Sequence, residues 1–194
     1  WRIHTAGFGA KTTFDGATGA FGFSNVASTQ SAAANFTPIE RLTILANGNV
    51  GIGDQTLYNN TTGNRNIAIG VAALRTNSTG HYNVAMGNTA LRLNTGTGNV
   101  AIGFESLKTN TGYENTAVGY RSLYLSTTGI ENAAFGERSL EDNTTGANNT
   151  ALGRVSMFNN TTGSNNTAVG NNSLRTNLVG NENTAVGKES LYNV

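Results

Sequence analysis

The chain has no cysteine, one proline (Pro38), two histidines (His4 and His81) and three aspartates in 194 residues. Each shortage excludes something. Without cysteine there is neither a disulfide nor a thiolate metal site. The two histidines lie in different regions and the aspartates (Asp15, Asp54, Asp142) are scattered. No Ser-His-Asp grouping, His-x-x-x-His spacing or Walker loop can be assembled. The Gly-Gly-x-Gly-x-Asp pattern of calcium-binding rolls is missing. The expectation is therefore a non-enzyme with no cofactor and no bound metal. Charged residues make up only 12% and the net charge is +1, too little for the electrostatic footprint of a nucleic-acid or membrane-surface binder. No run approaches the ~20 apolar residues of a membrane helix, so no membrane insertion is expected. There is no signal-peptide pattern and the first residue is Trp1, which reads as a fragment or a processed product.

Gly, Asn and Thr are abundant instead, and they are periodic. The unit Asn-Thr-Ala-Val-Gly-x-x-Ser-Leu-x-x-Asn-Thr-Thr-Gly-x-x begins at Asn49, Asn66, Asn83, Asn99, Asn115, Asn132, Asn149, Asn166 and Asn183. The spacing is 17 residues except for two steps of 16, where Asn94-Thr95-Gly96 and Asn110-Thr111-Gly112 shorten the turn. A deletion confined to a turn is what a stacked solenoid tolerates. The units are called coils 1 to 9 below, and the residues at one position of every coil form a column.

Positions two to four alternate in character and read as a short β-strand. The fourth (Ile52, Ile69, Met86, Ile102, Val118, Phe135, Leu152, Val169, Val186) is taken as a core position. The third is Gly51 and then alanine in every copy. The fifth is always glycine, which implies positive φ or a close approach of neighbouring backbones. The ninth column, Leu57 to Leu191 with Met157 as its one exception, is a second apolar line on either a second strand or one helical turn. Asparagines at the first and twelfth positions are expected to stack as amide ladders. The predicted fold is all-β: a parallel β-solenoid or β-roll of about nine coils of 16–17 residues over 49–194, continuing past Val194. With so little bulk per coil and no staple, oligomerisation is the expected remedy: a homotrimer with the alanine column near its axis. The Asn-x-Thr sequons follow from the repeat and are weak evidence of glycosylation.

Asn83-Val84-Ala85-Met86-Gly87, Asn99-Val100-Ala101-Ile102-Gly103 and Asn115-Thr116-Ala117-Val118-Gly119-Tyr120-Arg121-Ser122 resemble the Asn-x-Val-Ala-Ile-Gly-x-x-Ser unit of trimeric autotransporter adhesin heads. The family unit is shorter; this chain inserts a Leu-x-x-Asn-Thr-Thr-Gly extension. The stretch Glu40 to Gly53 is similar to one common in phage tail fibres. These resemblances imply a trimeric β-roll in an extracellular setting, on a virion tail fibre or a bacterial surface. They also imply a structural or adhesive role, with a cell-surface glycan or protein receptor and neighbouring fibre modules as partners. Read from its residues, Glu40–Gly53 is a strand, an Asn47-Gly48 turn and a return strand.

Residues 1–48 do not repeat. They carry Trp1 and five of the eight phenylalanines, and read as a small β-rich cap or a connector. The candidate binding surface is the tenth column: Tyr58, Arg75, Arg92, Lys108, Tyr124, Glu141, Phe158, Arg175 and Tyr192. Aromatic faces and arginine forks suit sugars and acidic groups; the plainer reading is a solvated face covering the leucines. Leu178 and Val179 break the polar rule of one turn and mark a candidate inter-module contact. The alternative functional class is a monomeric ice- or surface-binding solenoid; the threonines argue against it, because pairs such as Thr61-Thr62 and Thr144-Thr145 sit in turns.

Overall fold

The computed structural model describes residues 3–4, 10–15, 20–25 and 39–193, with side chains from Leu42 onward. The chain is all-β, and no helix occurs among the described residues. Strands β1 (Ile3–His4), β2 (Ala10–Asp15), β3 (Ala20–Asn25) and β4 (Ile39–Ile44) pair antiparallel in sequence order. Trp1, Phe8, Phe36 and Pro38 lie outside the described residues. Strand β4 then pairs antiparallel with β5 (Val50–Ile52). The Asn47-Gly48 turn forms where expected: Gly48 has φ +82° and its N–H donates to Leu45 O at 2.9 Å.

From β5 onward the direction is constant. Strands β6 (Ile67–Ile69), β7 (Val84–Met86), β8 (Val100–Ile102), β9 (Thr116–Val118), β10 (Ala133–Phe135), β11 (Thr150–Leu152), β12 (Thr167–Val169) and β13 (Thr184–Val186) stack in parallel, like residue on like residue. Nine strands of one repeat enclose eight complete turns of a β-solenoid.

The core is built the other way round from the sequence expectation. The third-position alanines, Ala68 through Ala168, are fully buried, together with the ninth-position residues from Leu74 to Leu174. The fourth-position residues face outward: Ile52 is 41% exposed, Leu152 49% and Val186 68%. Each coil is a flat loop with two walls. One wall is the strand, which points alanine inward; the other carries leucine. Two large columns facing each other would overpack so thin a coil, whereas leucine against alanine forms one continuous buried cluster. Ala117 therefore sits inside its own coil, and the alanine column does not line an axis between chains.

The second wall is neither strand nor helical turn. Its backbone alternates in hand: in coil 4, Gly103, Glu105 and Leu107 have φ of +135°, +54° and +50°. Every ninth-position leucine, and Met157, is left-handed, at about 1–2 kcal/mol for an L-residue. Burying a leucine returns about 1.5–3 kcal/mol. Hydrogen bonds between coils hold the shape: Leu107 N–H to Ser122 O at 2.9 Å, and Glu105 N–H to Asn88 O at 3.1 Å.

The corners are closed by the amide ladders. Asn83 donates from its backbone N–H (2.9 Å) and its Nδ2 (3.1 Å) to Asn66 Oδ1. Its Nδ2 and that of Asn94 both donate to Gly96 O at 2.9 Å. In the twelfth column Asn94 Nδ2 reaches Asn77 Oδ1 at 3.1 Å, and Ser126 keeps the link through its hydroxyl, 3.5 Å from Asn110 Oδ1. Both reasons for the fifth-position glycine hold together. Gly87 has φ +138°, and a Cβ there would lie 2.6 Å from the Gly103 carbonyl carbon.

Candidate functional site

Stacking brings the tenth column into one stripe on the outer side of the leucine wall, and the ion pairs show which side chains it meets. Glu141, only 3% exposed, accepts from Arg138 of its own coil and from Arg121 of the coil before, the latter at 3.1 Å. A tenth-position side chain thus reaches the seventh position of its own coil and of the preceding one. Lys108 Nζ lies 2.5 Å from Glu105 Oε1, and that carboxylate raises the lysine pKa. Arg121 also approaches Glu105, at 3.8 Å.

Aromatic rings continue the chain of contacts. Arg121 Cζ lies 4.1 Å from the Tyr124 ring centroid, Arg138 4.6 Å from that of Phe158, and Arg175 5.7 Å and 5.5 Å from those of Phe158 and Tyr192. Arg175 also donates to the Tyr192 hydroxyl. From Glu105 to Glu141 the charges of the stripe therefore pair with one another, and guanidinium groups cover the rings of Tyr124, Phe158 and Tyr192. Arg175 meets rings and, among the described residues, no acid within ion-pair distance. Asp142, beside it, has its pKa raised by burial first and by the Glu141 charge second.

The first coils differ. Tyr58 is 68% exposed, and the Arg75 guanidinium lies 5.9 Å from its ring centroid. Among the described residues, neither Arg75 nor Arg92 has an acid within ion-pair distance. The Nε atoms of both arginines are buried without a hydrogen-bond partner, as are those of Arg121 and Arg175, and here Thr89 Oγ1 is buried and unpartnered as well.

Leu178 and Val179 stand 53% and 64% exposed at the turn of coil 8. The Leu178 carbonyl accepts from Thr161 Oγ1 at 2.8 Å, so the backbone of the turn keeps the repeat while its side chains do not. Sequence reasoning missed an open depression of about 540 Å³ beside the β4–β5 turn, lined by Ala46, Asn47, Gly48, Asn64, Arg65, His81 and Tyr82. There Asn64 N–H donates to His81 Nδ1 at 3.1 Å, and Arg65 donates to the Tyr82 hydroxyl. Its signal lay in the sixteenth and seventeenth positions, which look random until coils are aligned. Among the described residues, no cluster of three His, Asp or Glu side chains is placed to hold a metal.

Searches against protein families, curated proteins and solved structures give no match to this chain.

Proposed function

We propose that this chain is a structural and adhesive fibre segment, assembled as a homotrimer on a virion tail or a bacterial surface. The observation that carries the proposal is the outward column Ile52, Met86, Ile102, Phe135, Leu152 and Val186, all well exposed. At about 4.8 Å per coil it forms an apolar ridge running the length of the rod, longer than a soluble monomer ordinarily leaves open. A partner that covers it along its whole length must share its pitch, and a second copy of the chain does so by construction. Three copies follow from the likeness to adhesin heads. Pairing of β4 onto the edge of β5 supports a capping role for residues 1–48. Leu178 and Val179 then serve as a contact to a neighbouring module, and the tenth column meets a glycan or protein receptor.

The ice-binding alternative is less well supported, on amended grounds. Thr116, Thr150, Thr167 and Thr184 do stand on strands. They lie beside a column that mixes Ile, Met, Val, Phe and Leu, which is too uneven to template a lattice plane.

Mass in solution tests the proposal. Light scattering of the parent chain is expected to give three times the chain mass. The double variant Ile102→Asp/Phe135→Asp is expected to give a folded monomer, with the β-sheet circular dichroism unchanged. A parent that stays monomeric, or a double variant that still assembles, would remove the support.

A further inference from the structure

We infer that coils 2 and 3 carry a binding site for the acidic group of a saccharide, formed by Arg75, Thr89 and Arg92 with Tyr58 alongside; this rests on the adhesive reading of the stripe. The site is defined by what is missing from it. In coils 4 to 6 the seventh position holds long charged side chains, Glu105, Arg121 and Arg138, which complete the ion pairs. In coils 2 and 3 it holds Ala72 and Thr89. By the reach that Glu141 displays, a carboxylate above Ala72 would serve Arg75 of its own coil and Arg92 of the next. No side chain supplies it.

The cost of that omission is visible. Arg75 Nε, Arg92 Nε and Thr89 Oγ1 are all buried without a partner, and such groups cost free energy until something bonds to them. Arg121 Nε and Arg175 Nε share that state, so what sets coils 2 and 3 apart is the pair of neighbouring arginines with no acid within ion-pair distance among the described residues, together with the unpartnered Thr89 hydroxyl. Two guanidinium groups one coil apart match the oxygens of a carboxylate or sulfate. Tyr58, exposed and with the Arg75 guanidinium 5.9 Å from its ring centroid, offers a flat face to a sugar ring. Two arginines are too few for a nucleic acid, whose affinity comes from many phosphate contacts.

The test uses the full chain with three probes: a uronate-containing oligosaccharide, a sulfated one and a neutral one of equal length, titrated by calorimetry at low and high salt. The acidic probes should bind and the neutral one should not, and salt should weaken binding. Arg75→Gln/Arg92→Gln should lose about tenfold or more in affinity. Arg154→Gln, on the neighbouring sixth column, should change nothing. Ala72→Glu should install the absent carboxylate, raise the melting temperature and abolish binding; Glu105 occupies the same position with φ +54°, against +55° for Ala72. The site assignment is overturned if the neutral probe binds as well as the acidic ones, if the double glutamine variant binds like the parent, or if Ala72→Glu binds normally. Mass measured on the same samples separates this result from the fibre proposal: loss of binding with an intact trimer bears on the site alone.

Discussion

Coils 2 and 3 and coils 4 to 8 share one backbone and differ in how they are fastened. In the later coils the eighth residue is serine, and its hydroxyl crosses the coil to the alanine carbonyl of the next: Ser106 to Ala117 at 3.0 Å, Ser139 to Ala151 at 3.1 Å. In coils 2 and 3 that residue is Ala73 or Ala90, and no such bond exists. Coils 4 to 6 also hold the linked ion pairs of the stripe; Arg75 and Arg92 in the earlier coils have no acid within ion-pair distance among the described residues. The repeat therefore has two layers. Glycines, amide ladders and the alanine–leucine interior set the frame and are present everywhere. Serine bridges and charge pairs are added to part of the rod, and coils 2 and 3 lack both.

The frame should fail alike in both regions. Gly87→Ala in coil 3 and Gly136→Ala in coil 6 place a Cβ at the same 2.6 Å from the next carbonyl carbon, in a left-handed conformation that alanine resists. Each is expected to cost about 3 kcal/mol or more, read by denaturant unfolding. A large loss at one site and none at the other would break the idea of a common frame.

The fastening layer should respond in opposite directions. Ser139→Ala removes a buried hydrogen bond and is expected to destabilise by about 1 kcal/mol. Ala90→Ser offers a hydroxyl to the Ala101 carbonyl in the geometry Ser106 already uses, and is expected to stabilise by up to about 1 kcal/mol. If Ala90→Ser destabilises instead, the two regions differ in shape as well as in fastening.

The smallest effect concerns Asp142. Its pKa is raised by burial and by Glu141, so its charged form weakens the fold, and stability falls as pH rises through its titration. Asp142→Asn is expected to stabilise modestly at neutral pH, by less than about 1 kcal/mol. The gain should fade at pH values where the aspartate is already protonated. Asn159 holds the same position one coil later, so the substitution stays within the repeat. Thermal melts across pH check it.

The columns explain why much of this was legible and why some was not. Repeat length, strand position, the Asn47-Gly48 hairpin and the asparagine ladders all follow from spacing and residue type. Which strand face turns inward did not. Alternation defines two faces, and bulk alone favours Ile52, Ile69 and Ile102 as core. Only the facing leucine wall, about six residues along the chain, makes alanine the better fit. The second wall was unreadable for another reason: leucine seldom adopts left-handed φ, so no propensity argument would place eight leucines and Met157 there in register. The tenth column was found as a stripe, but its division into a closed part and an open part needed the seventh column, whose partners lie a full coil away.

The first-position ladder runs one way. Each asparagine from Asn66 to Asn183 donates its backbone N–H to the side-chain oxygen of the asparagine one coil earlier. Such a ladder counts in whole steps. Removing residues 115–131 would bring Asn132 onto Asn99 with every donor still matched, and shorten the rod by about 4.8 Å; removing half that stretch would leave amides facing the wrong groups. The distance this segment spans is thus graduated, like a ruler whose smallest division is one coil.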